Sequence, residues 1–157
     1  MTDAQRDILE AATTLRLSPD QFRQLPDAEA EQVYRAALSR FVTSSFEPRW
    51  WWEHLSEPHA GFQPDGVHGF DLISQLVPDA DAALYFVAED DSPFYPVYLT
   101  TTRIASAVLG ECFTFEYYLF PTDLSWLIGE NHHDVIFGTG EPIVRAINAR
   151  SNATGNA

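Results

Sequence analysis

The sequence predicts an α+β protein, with a helical N-terminal half packed on a mostly antiparallel sheet of four to five strands and a C-terminal helix. Three observations lead there. Up to about residue 45 the apolar residues recur at three- and four-residue intervals, the period of a helix. From Asp79 onward, short apolar or alternating runs are separated by Pro, Gly, Asn and Asp, as strands and turns are. The last apolar stripe, Ile143, Val144 and Ile147, follows Glu141-Pro142, a helix start. No repeat or linker divides the chain, so a single domain over 1–150 is expected, with 151–157 a disordered tail.

Element by element, Thr2 and Gln5 form a capping box ahead of a stripe of Ile8, Leu9, Ala12 and Leu15. Ser18-Pro19-Asp20-Gln21 reads as a second helix start, with Phe22 and Leu25 facing inward. Asp27 is the expected cap of a third helix carrying Val33, Tyr34, Ala37, Leu38 and Phe41. Residues 46–69 read as irregular, and Phe70–Val77 as a short helix stopped by Pro78. Ala82–Ala88 (AALYFVA) is the apolar run of a central strand. Tyr95–Thr100 is a strand that Pro96 assigns to a sheet edge. Thr101 or Thr102 caps a helix ended by Gly110. Cys112–Phe120 alternates, with Phe113, Phe115, Tyr117 and Leu119 on one face and Thr114 and Glu116 on the other. Ser125–Gly129 and Val135–Gly138 are two strands around the polar stretch Glu130-Asn131-His132-His133-Asp134.

Composition narrows the function. The chain has 157 residues, 45% of them hydrophobic and 13% aromatic, enough to fill a core. It carries no membrane-length apolar run. The acidic, amphipathic start resembles no signal peptide, so a cytoplasmic protein is expected, in keeping with the single cysteine, Cys112. Twenty-three acidic residues against nine basic ones, all Arg, leave a net charge of −14. Between Asp79 and Asp134 lie ten carboxylates and one Arg, Arg103. Such a surface repels phosphate backbones and argues against nucleic acid, while it attracts a basic protein. It also serves solubility, with no partner involved.

Several groups are candidates for chemistry. Asn131 to Asp134 suit a hairpin turn, because Asn and Asp side chains bond nearby backbone. Adjacent residues on a strand point to opposite faces, so His132 and His133 make a poor metal pair, and no metal or cofactor is expected. His54, His59 and His68, with Glu53 and Glu57, match no ligand spacing. Cys112 sits beside Glu111, whose charge raises a thiol pKa, so a buried strand residue is expected there rather than a nucleophile. Ser125 lacks a nucleophile elbow, and Gly138-Thr139-Gly140 lacks a phosphate loop's Lys and spacing. Trp50-Trp51-Trp52 would fan through about 200° on a helix, so at least one is expected at the surface, where Trp is a frequent interface anchor.

Taken together, Gly110–Cys112, Phe115–Leu119, Asp123–Leu127 and Glu130–Asp134 read GEC, FEYYL, DLSWL and ENHHD, followed by an apolar strand. This signature resembles a family of small uncharacterised bacterial proteins, over roughly residues 80–148, with a weaker match in the helical half. The resemblance implies a fold and no activity. The organisation is also similar to that of immunity proteins of bacterial toxin systems: small, acidic, cytosolic, single-domain and aromatic-rich. The expected function is therefore a non-enzymatic module that binds a basic protein, with Glu89, Asp90, Asp91, Glu130, Asp134 and one or more of Trp50, Trp51 and Trp52 in contact. The rival is a small-ligand binder or hydrolase-like enzyme using Glu130, His132, His133 and Glu116, in a pocket completed by Tyr117, Tyr118 and Trp126. Self-association through the tryptophans is a third expectation.

Overall fold

A computed structural model describes residues 1–155 apart from Ser45 and Thr114, with side chains described as far as Asn152. The class is α+β, with five helices and seven strands among the described residues. In chain order these are α1 (Asp3–Thr14), β1 (Arg23–Gln24), α2 (Asp27–Phe41), β2 (His59–Phe62), α3 (Gly69–Leu76), β3 (Ala83–Ala88), β4 (Val97–Thr101), α4 (Thr102–Gly110), β5 (Tyr117–Pro121), β6 (Leu127–Glu130), β7 (Ile136–Thr139) and α5 (Glu141–Gly155). The strands form one sheet in the order β1-β4-β3-β5-β6-β7-β2, and every pairing is antiparallel.

The sheet has seven strands where four to five were expected. Both additions are edge strands with weak patterns. Arg23 and Gln24 are exposed and pair with β4, and His59–Phe62 pairs with β7. The helix expected from Ser18 is a turn that delivers this first edge, although Phe22 and Leu25 do point inward. Because β1 covers β4, the strand after Pro96 lies one place in from the edge. Pro96 itself precedes the strand and leaves the ladder intact.

Helices cover both faces, so β3 and β5 are apolar on both. On one side α1, α3, α4 and α5 meet Leu84, Phe86, Tyr98, Tyr117, Leu119, Ile128 and Ile136. On the other, α2 and Trp51 meet Val87, Val97, Tyr118, Phe120, Leu127 and Phe137. The capping box of α1 forms as expected, and Thr101 caps α4 by accepting from the Ile104 N–H. Asp27 is the first helical residue of α2 rather than its cap; Pro26 holds that position.

Two further expectations are corrected. The strand expected from Cys112 begins only at Tyr117, so Cys112 lies in the turn after α4 and Phe113 is 82% exposed. Thr114, expected on the face opposite Phe113, lies outside the described residues. The tail expected to be disordered from Ser151 is helical to Gly155; Asn156 and Ala157 lie outside the described residues.

Candidate functional site

The stretch Glu130–Asp134 forms the β6–β7 hairpin turn, and its chemistry explains the shape. Asn131 Oδ1 accepts from the N–H groups of His133 (2.9 Å) and Val135 (3.2 Å). Asp134 takes a positive φ of 58°, which Asp tolerates better than most residues.

The turn also does more than bend. It sets His132 and His133 beside each other, ring centres 4.0 Å apart, against Trp50 and Trp52. Trp50 and Trp52 stack on one another at 6.2 Å and are both half-buried. Between them, Trp51 is fully buried. It stacks on Tyr118 at 4.6 Å, and its backbone N–H donates to the Tyr118 hydroxyl oxygen (3.2 Å). A run of three indoles thus splits into one core anchor and two rim residues, and Trp51 is withdrawn from the expected contact set.

Glu116 organises this rim from below. It immediately precedes β5, with its side chain 3% exposed. Oε2 accepts from Trp52 Nε1 (2.9 Å), and Oε1 accepts from the His132 backbone N–H (3.1 Å) and pairs with His132 Nδ1. A carboxylate can only accept, so the facing Nδ1 carries the proton. Glu89 lies alongside, its backbone N–H donating to the Glu116 carbonyl (2.9 Å). Burial first, and then the Glu116 carboxylate, push Glu89 up to about 7, against the pull of Arg49.

Arg49 joins the rim to an acidic groove. Its Nε lies 3.5 Å from Glu89 Oε1, and its guanidinium sits 5.5 Å from the Trp50 ring centre. The groove, of about 390 Å³, is lined by Glu47, Glu89, Asp90 and Asp91 together with Tyr34, Arg49 and Tyr95. Tyr34 donates to Glu47, and burial followed by that bond holds its phenol above the usual range, so it stays a donor. Tyr95 donates to the Arg49 carbonyl and pins the backbone under the groove. Asp90 is partly used internally, accepting from Thr2 Oγ1 (2.8 Å) and the Ser92 N–H (2.7 Å). Asp91 is exposed.

Of the residues of the expected enzyme pocket, Glu116, His132 and His133 converge, while Tyr117, Trp126 and Glu130 lie on the other face. Successive residues of β5 face opposite sides. Tyr118 therefore lies against Trp51, while Tyr117 points to the α3 side and donates to Glu130 Oε2 (2.9 Å). Trp126 is buried on that same far side. Glu130 sits at the start of α3, where its carboxylate takes the Gly69 N–H. A Cβ on Gly69 would come within 2.5 Å of that carboxylate. Burial first, and then Asp134, raise Glu130 above the usual carboxylate range, against Tyr117 and Gly69. Glu130 and Asp134 thus line a small cleft with His68 and Phe70, apart from the imidazoles and from the groove.

The remaining candidates scatter. His59 pairs with Glu57 (3.0 Å) on edge strand β2, His68 stacks on Phe70, and His54 packs edge-on to Phe46. Burial, then Asp7 and Glu111, push the Cys112 thiol up to about 12. Among the described residues no group of three or more His, Cys, Asp or Glu is placed to hold a metal ion, and no helix is long and apolar enough to cross a membrane. Sequence reasoning overlooked Arg49, Glu47 and Tyr95. One signal was there: Arg49 is the only basic residue between Arg40 and Arg103.

Fold and site thus define a class: an α+β protein whose seven-stranded antiparallel sheet supports an aromatic rim beside an acidic groove. The chain belongs to a family of unknown function, DUF6756, whose model matches residues 1–151 and so includes the helical half. No curated protein and no solved structure matches it.

Proposed function

We propose that the protein is a non-enzymatic binding module for a basic protein partner, engaged through the groove of Glu47, Glu89, Asp90 and Asp91 and the adjoining rim of Trp50 and Trp52. One observation carries this reading. The chain's own Arg49 guanidinium rests between the Trp50 ring and Glu89, an arrangement that suits a cation. Four carboxylates share the groove with that single Arg, which leaves charge for a partner to neutralise. A basic toxin held inactive by this surface is the kind of partner that the small, acidic, immunity-like organisation fits.

The test is affinity capture from the native host followed by a salt titration, with octa-arginine peptide as a defined probe. Association should weaken steeply between 50 and 200 mM salt, a range over which exposed charges become screened (Debye length about 10 Å at 0.1 M). Trp50→Ala should cost about tenfold in affinity, the scale of an interface anchor. Asp91→Arg should slow association. Capture of no partner, or binding indifferent to salt, would overturn the proposal.

A second reading, acid–base chemistry, has the Glu116–His132 carboxylate–imidazole pair in its favour. Glu130 falls outside it by position. Turnover of an activated ester that His132→Ala abolishes, by a wild type that does not bind octa-arginine, would select this reading over the first.

A further inference from the structure

We infer that Glu116 is the positioning residue of the binding surface: its buried carboxylate gathers Trp52 and His132, from two separate loops, into one rim. The inference rests on the binding role proposed above and deepens it. Trp52 belongs to a 3-10 turn at Trp51–Glu53 and His132 to the β6–β7 turn, 80 positions later in the chain (132 − 52). Neither loop fixes the other through backbone pairing; the sheet ladders end at Glu130 and resume at Ile136. Beyond ring contacts, what joins them by hydrogen bonds is one carboxylate with three contacts: the Trp52 indole N–H, the His132 amide and the His132 ring. Both oxygens are committed, and the group is 3% exposed, so a partner meets the rim and never Glu116 itself.

The rigidity of Glu116 comes from its neighbours. Its residue precedes β5 directly, and its carbonyl accepts from Glu89, which ends the β3 side of the ladder. The carboxylate is thus held by the sheet, while the groups that it orders sit on loops. A glutamine there presents one acceptor oxygen and an NH₂ group, which cannot satisfy three donors. Trp52 and His132 would then keep only their edge-on ring contact, and binding would have to order them first.

The experiment measures octa-arginine affinity by calorimetry for the wild type, Glu116→Gln, Trp52→Phe and the double variant, with the Trp indole N–H resonances recorded by NMR. Glu10→Gln on the exposed face of α1 removes the same formal charge and serves as the control. Glu116→Gln should bind about tenfold more weakly, the scale of one lost charge-assisted hydrogen bond. The Trp52 indole resonance should move with it, while Glu10→Gln changes affinity by less than about twofold. Trp52→Phe keeps an aromatic ring but lacks the donor; it should weaken binding on its own, and adding Glu116→Gln should then cost less than Glu116→Gln costs alone. Affinity of Glu116→Gln matching the control, an unmoved indole resonance, or full additivity in the double variant would overturn the positioning role and leave the binding role standing. A wild type that fails to bind would overturn both. Should Glu116→Gln not fold, Trp52→Phe decides: weakened binding supports the inference, and unchanged binding overturns it.

Discussion

Glu89 lies beside the buried Glu116 carboxylate, and the pH dependence of stability should report the Glu89 titration. Folded Glu89 titrates at about 7, against 4.5 for the free side chain, so the native state holds its proton more tightly than the unfolded chain does. The stability this contributes is complete below about 4.5 and is lost as pH rises to about 7, beyond which the loss is constant. The melting temperature should therefore fall between pH 5 and pH 7, as a scan of thermal unfolding will show. Glu89→Gln should flatten part of that slope. Glu130, also held above its usual range, adds a slope of the same sign that this variant leaves in place. On the far face, Gly69→Ala would push a methyl group into the Glu130 carboxylate. Overpacking of this kind costs about 1–3 kcal/mol, measurable by urea unfolding. Glu130→Ala in the same background should recover much of it.

Among the elements, the β6–β7 hairpin carries the most information. Asn131 is 5% exposed, and its side chain caps the turn with two bonds to backbone N–H groups. Asn131→Ala would leave those donors unpaired in a half-buried setting and should cost about 1–3 kcal/mol in denaturant unfolding. It should also loosen His132 and so broaden the Trp52 indole resonance. Asn131→Asp keeps the acceptor and should retain most of the stability. Strand β5 shows the opposite lesson. The alternation from Phe113 to Leu119 suggested a long one-sided strand, yet Phe113 is exposed and both faces of Tyr117–Phe120 are buried. Periodicity reports which residues are apolar. It does not report whether a second layer covers the other side of the sheet.

As a whole, the molecule has a charge of −14 held on a small body. Self-repulsion on that scale destabilises the compact state and is screened by salt. Raising salt from 20 to 200 mM should therefore raise the melting temperature of the free protein and weaken its complex with octa-arginine. Opposite responses in the two measurements separate general charge repulsion from a local binding surface. The sheet supports that surface by being sealed on both faces. Helices α1, α3, α4 and α5 close one side, and α2 with Trp51 closes the other. The rim and the groove lie where the second cover gives way to loops, which is where a stable scaffold can present side chains.

Much of this architecture was legible in the chain itself, because it rests on local physics. The α1 capping box, the Thr101 cap, the apolar run of β3 and the turn at Asn131–Asp134 each depend on residues within a few positions of one another. The edge strands β1 and β2 were not legible. Two exposed residues and a four-residue HAGF carry too little pattern, and they exist because β4 and β7 offer them a partner. The site divides the same way. The sequence raised Trp50, Trp51, Trp52 and the acidic run as partner contacts and His132 only for the rival enzyme, since indoles, imidazoles and carboxylates advertise themselves by type. It could not separate Trp51 from its neighbours, remove Glu130 to the far face, or reveal Glu116 as the link between two loops. Those facts depend on contacts between residues 13 to 67 positions apart, which only packing of the sheet against its covers brings within bonding distance.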